Sequence, residues 1–113
     1  MVQTITPQQA NELISLGAIE VIDVREVHEW LAGHIRASRL VPLARFRANP
    51  RTEIGDVPIL FVCAAGVRSE TAARLAVANG AKRVYNLAGG TRAWARAGFA
   101  LQVESTATAA ECA

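Results

Sequence analysis

A chain of 113 residues, 51% hydrophobic and 5% aromatic, has the length of one domain and enough apolar side chains for a core built of alanine and branched aliphatics. A net charge of +2 is too small to argue for nucleic-acid binding, and only Lys82 of the 12 cationic residues is a lysine. No apolar run approaches the roughly 20 residues needed to cross a bilayer, and the N-terminus lacks the basic-then-apolar order of a secretory signal. The two cysteines, Cys63 and Cys112, make no disulfide framework. A soluble, cytoplasmic protein is expected, with no nucleic-acid and no membrane partner.

In chain order, Thr4 and Ile5 read as a short edge strand. Thr6-Pro7-Gln8-Gln9 reads as a helix start, with Thr6 as N-cap, Pro7 at N1 and Gln9 completing a capping box. Ala10, Leu13 and Ile14 follow at helical spacing, and Gly17 suits the C′ position. Ile19 to Val24 reads as a strand, Glu26 to Leu31 as a short helical turn broken by Gly33-His34-Ile35, and Leu40-Val41 as a strand stopped by Pro42. Residues 42–48 suit one or two helical turns, and Asn49 to Pro58 reads as loop. An apolar strand, 58–62, ends in Cys63. Ser69 to Asn79 is predicted helical, with Ala72, Leu75, Ala76 and Asn79 on one side and Gly80 ending it. Val84 to Leu87 is a strand, Gly89-Gly90 a turn, Thr91 to Ala97 a helix carrying Trp94 and closed by Gly98, and Leu101 to Val103 a last short strand. Residues 104–113 read as a flexible tail of small and polar residues.

Strands alternate with helices throughout. The expectation is a single α/β domain of three layers, a central parallel sheet with helices on both faces. Ligands in such sheets bind beyond the carboxyl ends of the strands. Cys63 and Asp23 both belong at that end.

The chemistry centres on Cys63. A strand that feeds a helix through a glycine-containing loop aims backbone N–H groups and the helix dipole at one point. That field favours a thiolate, which is the nucleophilic form. Gly66 allows a turn with φ > 0, Ala64 and Ala65 leave room for close backbone approach, and Arg68 places a positive charge nearby. The bland alternative is a buried, inert cysteine, since free cysteine is among the most buried residue types.

Cys63-Ala64-Ala65-Gly66-Val67-Arg68-Ser69 resembles the active-site loop of rhodanese-like sulfurtransferases. Asp23-Val24-Arg25-Glu26, Glu29-Trp30 and Gly33-His34-Ile35 resemble the N-terminal half of that family's domain, and Leu87-Ala88-Gly89-Gly90, Trp94 and Gly98 its C-terminal signature. The resemblance covers residues 4–103. It implies that Cys63 takes a sulfane sulfur from a donor such as thiosulfate, becomes a persulfide and passes the sulfur to a thiophilic acceptor, cyanide or a thiol. It further implies that the backbone N–H groups of residues 64–69 (Ala64, Ala65, Gly66, Val67, Arg68, Ser69) cradle that sulfur, without cofactor or metal. After Gly33-His34-Ile35 the family usually shows a Gly-Ala pair; here Ala37-Ser38 follows Arg36.

Asp23, Arg25 and Glu29 are expected to form a structural ion pair, because an acidic group facing the site would repel an anionic donor. His34 is read as a hydrogen-bonded structural histidine, and Trp30 and Trp94 as core or rim aromatics. Arg36, Arg39, Arg45, Arg47 and Arg51 lie in a stretch without acidic residues. It suits either steering of an anion or an acidic sulfur-acceptor protein, or an ordinary solvated face. Three other functions compete: a persulfide carrier, a non-catalytic binding module, and a cysteine-dependent phosphatase or arsenate reductase. The last would place five residues between cysteine and arginine; here Ala64 to Val67 make four.

Overall fold

The computed structural model describes residues 1–103. In chain order it contains β1 (Val2–Ile5), α1 (Pro7–Ser15), β2 (Glu20–Asp23), α2 (Val27–Ala32), β3 (Ser38–Leu40), α3 (Leu43–Ala48), α4 (Pro50–Glu53), β4 (Ile59–Val62), α5 (Val67–Ala78), β5 (Val84–Leu87) and α6 (Gly90–Arg96). The five strands form one parallel sheet in the order β1-β5-β4-β2-β3. β4 lies at its centre, so the residue after it emerges in the middle of the sheet's carboxyl edge.

Side-chain alternation along β4 builds two separate cores. Ile59, Phe61 and then Cys63 face Phe46 of α3 and Ala72, Ala73 and Ala76 of α5. Leu60 and Val62 face the other way, toward Ala10 of α1 and Trp94 of α6. Both faces are thus covered, as the three-layer expectation required. Burying side chains such as Phe61 or Leu60 contributes about 1.5–3 kcal/mol each. The alanines of α5 let that helix lie close to β4 and β5.

Thr6 caps α1 as the sequence predicts: its Oγ1 accepts from the Gln9 N–H at 3.1 Å, and Gln9 Oε1 accepts from the Thr6 N–H at 2.9 Å. Gly17 follows the helix at φ 65°. Several boundaries differ from expectation. β1 starts at Val2, because the edge strand keeps pairing with β5 back to Val84. Asn49 to Pro58 is not all loop: Pro50 starts the one-turn helix α4, and Glu53 at its end is held by Arg39, at 2.6 Å, and Arg45, at 3.4 Å. Such partners lie outside the local segment and leave no local signal. Leu101 to Val103 forms no strand. Instead Gln102 and His34 exchange backbone hydrogen bonds in a single antiparallel bridge. The expected tail at 104–113, Cys112 included, lies outside the described residues.

Ala37 sits at φ 72°, the one non-glycine residue with positive φ among the described residues. It occupies the turn where the resembling family usually has glycine. A left-handed conformation costs an L-residue roughly 1–2 kcal/mol. No helix among the described residues is long and apolar enough to cross a membrane.

Candidate active site

α5 begins at Val67, two residues before the predicted start at Ser69. Gly66, at φ 100° and ψ −1°, supplies the left-handed turn that lets the chain leave β4 and enter the helix at once. The first N–H groups of a helix have no partner within it. Here the Cys63 sulfur takes up part of that donor capacity. Cys63 is 1% exposed, and its Sγ accepts from the Gly66 N–H at 3.1 Å and lies 3.2 Å from Ser69 Oγ. Burial pushes the thiol pKa up. The Ser69 hydroxyl, with the N–H groups of Ser69, Ala65 and Gly66, outweighs burial and holds the thiol below the ordinary cysteine value. The depression is the work of hydrogen-bond donors without formal charge.

A further layer of groups fixes the loop from behind. The Ser69 hydroxyl donates to Asn86 Oδ1 at 2.5 Å, and Asn86 Nδ2 donates to the Gly66 carbonyl at 3.1 Å. From the start of α6, the Thr91 N–H donates to the Cys63 carbonyl at 2.8 Å and the Arg92 N–H to the Ala64 carbonyl at 3.1 Å. Gly90 makes this approach possible. A Cβ there would stand 2.3 Å from the Cys63 oxygen and 2.5 Å from the Ala64 carbonyl carbon.

The charged groups divide into two pairs. Asp23 is fully buried and accepts from the Arg25 backbone N–H at 3.0 Å and from its guanidinium at 2.8 Å, while Arg25 also donates to the Gly33 carbonyl at 2.8 Å. This is the structural pair expected at the end of β2. Glu29 takes no part in it. Its two oxygens accept from both terminal nitrogens of Arg68, at 2.8 and 3.0 Å. The hydrogen bond from Arg68 is the main cause that holds the Glu29 carboxyl down at about 2, and the same bond raises Arg68. The positive charge beside the loop is therefore balanced by a carboxylate.

These features match a known family over most of the chain. The family model described as the rhodanese-like domain matches residues 6–97. The chain belongs to the rhodanese-like domain family. It is 37% identical over 90 residues to thiosulfate sulfurtransferase GlpE of Ectopseudomonas mendocina, covering 80% of this chain and 82% of that protein. Identity to the uncharacterized protein YqhL of Bacillus subtilis is 37% over 75 residues, 66% of this chain and 60% of that one. Identity to the tRNA uridine(34) hydroxylase of Chlamydia abortus is 31% over 101 residues, 82% of this chain, but the chain spans only 31% of that protein's length. Among solved structures, a rhodanese-related protein from Thermoplasma volcanium superposes with a TM-score of 0.82 at 28% identity, covering 90% of this chain and 99% of that one.

Within this rhodanese-like domain the structure brings Cys63, Ala65, Gly66 and Ser69 together around one sulfur. Ala64 instead offers its carbonyl to α6, the Val67 side chain is 74% exposed, and the Arg68 guanidinium turns to Glu29. His34 behaves as expected of a structural residue: its Nδ1 donates to the Trp30 carbonyl at 2.8 Å, and its ring stacks on Trp30 at 3.6 Å. Trp94 is core and Trp30 half-buried. In the basic stretch Arg39 and Arg45 are paired with Glu20 and Glu53, which reduces its net field. A cleft of about 550 Å³ opens beside the loop, lined by Thr4, Ala65, Gly66, Thr71, Arg74 and Ala88.

Asn86, Gly90 and Thr91 escaped the sequence reading as parts of this site. Asn86 did leave a signal. It shares strand parity with Val84 and faces inward, and a polar side chain inside an apolar layer needs a partner. Gly90 left none beyond its place in a glycine pair.

Proposed function

We propose that this protein is a thiosulfate sulfurtransferase that carries sulfur as a persulfide on Cys63, with residues 64–69 binding the donor. The observation that carries the reading is the buried Sγ held by uncharged partners, the Gly66 N–H donating at 3.1 Å and Ser69 Oγ lying at 3.2 Å, with the thiol below its ordinary pKa. The Cys63 thiolate attacks the outer sulfur of thiosulfate. The S–S bond of the donor breaks and its electron pair leaves with sulfite. The new terminal sulfur is anionic, and the donors that favoured the thiolate favour it too. Cyanide or a thiolate then attacks that sulfur, and the electron pair of the broken bond returns to Cys63. Arg68 adds charge at the mouth, shared with Glu29, and the cleft beside residues 65–67 gives the acceptor room. Thiosulfate is favoured as donor because the match to the thiosulfate sulfurtransferase runs over most of both chains.

Intact mass after brief thiosulfate treatment is expected to rise by one sulfur atom, and cyanide to remove it with release of thiocyanate. Cys63→Ser should show neither event and lose turnover by at least about 10³-fold, while Cys112→Ser keeps both. A folded protein whose Cys63 stays unmodified by thiosulfate overturns the reading. Hydrolysis of a phenyl phosphate would favour the phosphatase alternative.

A further inference from the structure

Ser69 has one hydroxyl proton and two acceptors within reach. Its Oγ lies 2.5 Å from Asn86 Oδ1 and 3.2 Å from Cys63 Sγ. The orientation of the amide follows from its other contact. The Gly66 carbonyl only accepts, so the NH₂ of Asn86 faces it at 3.1 Å and Oδ1 faces Ser69. With Cys63 as a thiol every group is satisfied: S–H donates to Ser69 Oγ, and Ser69 O–H donates to Asn86 Oδ1. When Cys63 loses its proton to solvent, the sulfur becomes an acceptor only. An anionic sulfur then draws the Ser69 O–H toward itself. Turning the hydroxyl leaves Asn86 Oδ1 without its donor in a buried place, which opposes the turn.

We propose that Asn86 is a positioning residue that competes with the Cys63 sulfur for the Ser69 hydroxyl proton while anchoring, through the Gly66 carbonyl, the residue whose N–H meets that sulfur. The two arms act in opposite directions. The Oδ1 arm holds back ionisation. The Nδ2 arm favours it, because it anchors the Gly66 carbonyl and so limits rotation at the same residue whose N–H meets the sulfur. Sulfur anions thereby meet a hydroxyl that is given up only on demand. The catalytic consequence rests on Cys63 being the nucleophile, but the competition itself is measured without any sulfur donor.

The test is the Cys63 pKa, read from thiolate absorbance and from the pH dependence of alkylation by iodoacetamide. The full chain carries Cys112→Ser so that one thiol reports. Asn86→Leu is compared in two backgrounds, with Ser69 and with Ser69→Ala; Asn86→Ala, which is smaller, serves if the leucine disturbs the fold. The charged groups around the loop are the same in all variants: Arg68 and Glu29, Asp23 and Arg25, Glu70 and Arg74 along α5, and Arg92 of α6. Their fields cancel in the comparison. Ser69→Ala alone is expected to raise the pKa. Loss of the Asn86 amide is expected to favour the thiolate more with Ser69 present than without it, by about threefold in thiolate-to-thiol ratio, the size of one ordinary hydrogen bond. Equal shifts in both backgrounds, or a difference of opposite sign, overturn the proposal. The coupling without a persulfide would refute the sulfurtransferase reading alone, and a persulfide without the coupling would refute only the role of Asn86.

Discussion

The two central strands β2 and β4 lie side by side and end level, with Asp23 opposite Val62. Each delivers an ionisable group to the same buried edge, and the two groups are satisfied in different ways. Asp23 meets Arg25 from its own strand end, in a salt bridge of 2.8 Å whose side chains are 0% and 7% exposed. That anion has an internal counter-ion and little left to offer a ligand. Cys63 meets backbone N–H groups and a hydroxyl, and among the described residues no cation is hydrogen-bonded to the sulfur. Dipolar donors stabilise an anion without cancelling its charge, so a thiolate at this position keeps its nucleophilic character. The contrast explains how a buried carboxylate lies beside the Cys63 loop without opposing a thiolate there: Arg25 balances its charge.

Removing one member of the buried pair tests the β2 side. Asp23→Ala should cost about 3–5 kcal/mol in denaturant unfolding, because Arg25 is left buried without its partner. A loss below about 1 kcal/mol would mean that Arg25 reaches solvent instead, and the contrast would fail. On the β4 side, Gly90→Ala should cost roughly 2–4 kcal/mol from overlap and left-handed strain together. It should also slow alkylation of Cys63, since the start of α6 could no longer hold the Cys63 and Ala64 carbonyls. Unchanged alkylation in a folded Gly90→Ala protein would show that the loop holds itself.

A smaller effect belongs to the pair between the two ends, Glu29 with Arg68. Its side chains are 25% and 36% exposed, so solvent screening limits it to about 1 kcal/mol. The folded Glu29 carboxyl lies at about 2 against an ordinary 4.5, so the pair's stabilisation is complete above about pH 4.5 and is lost as pH falls through about 2. The stability gap between wild type and Glu29→Gln should narrow across that window; a constant gap would contradict the assignment. The smallest change is a gain. Ala37→Gly relieves a left-handed alanine and should raise stability by about 0.5–1 kcal/mol, net of the added chain entropy. It should leave alkylation of Cys63 untouched, because the residue lies outside both strand ends.

The amino-acid sequence by itself determined the order of strands and helices from β1 to α3 and from β4 to α6, the capping of α1 by Thr6, and the placing of Cys63 at a strand end before a helix. All of these depend on neighbours a few residues apart, through side-chain alternation, helical spacing and capping geometry. It also marked Arg68, but not where the guanidinium goes. Only the tertiary structure joined Arg68 to Glu29, 39 residues away, and α4 to Arg39. Only the tertiary structure brought Asn86 and Gly90 behind the Cys63 loop. Those contacts arise because β5 is laid beside β4 in the sheet, which sets the Ser69 hydroxyl against Asn86 and the start of α6 against the Cys63 carbonyl. The sheet order that produces them depends on which apolar faces bury one another, and no local pattern in the chain encodes it.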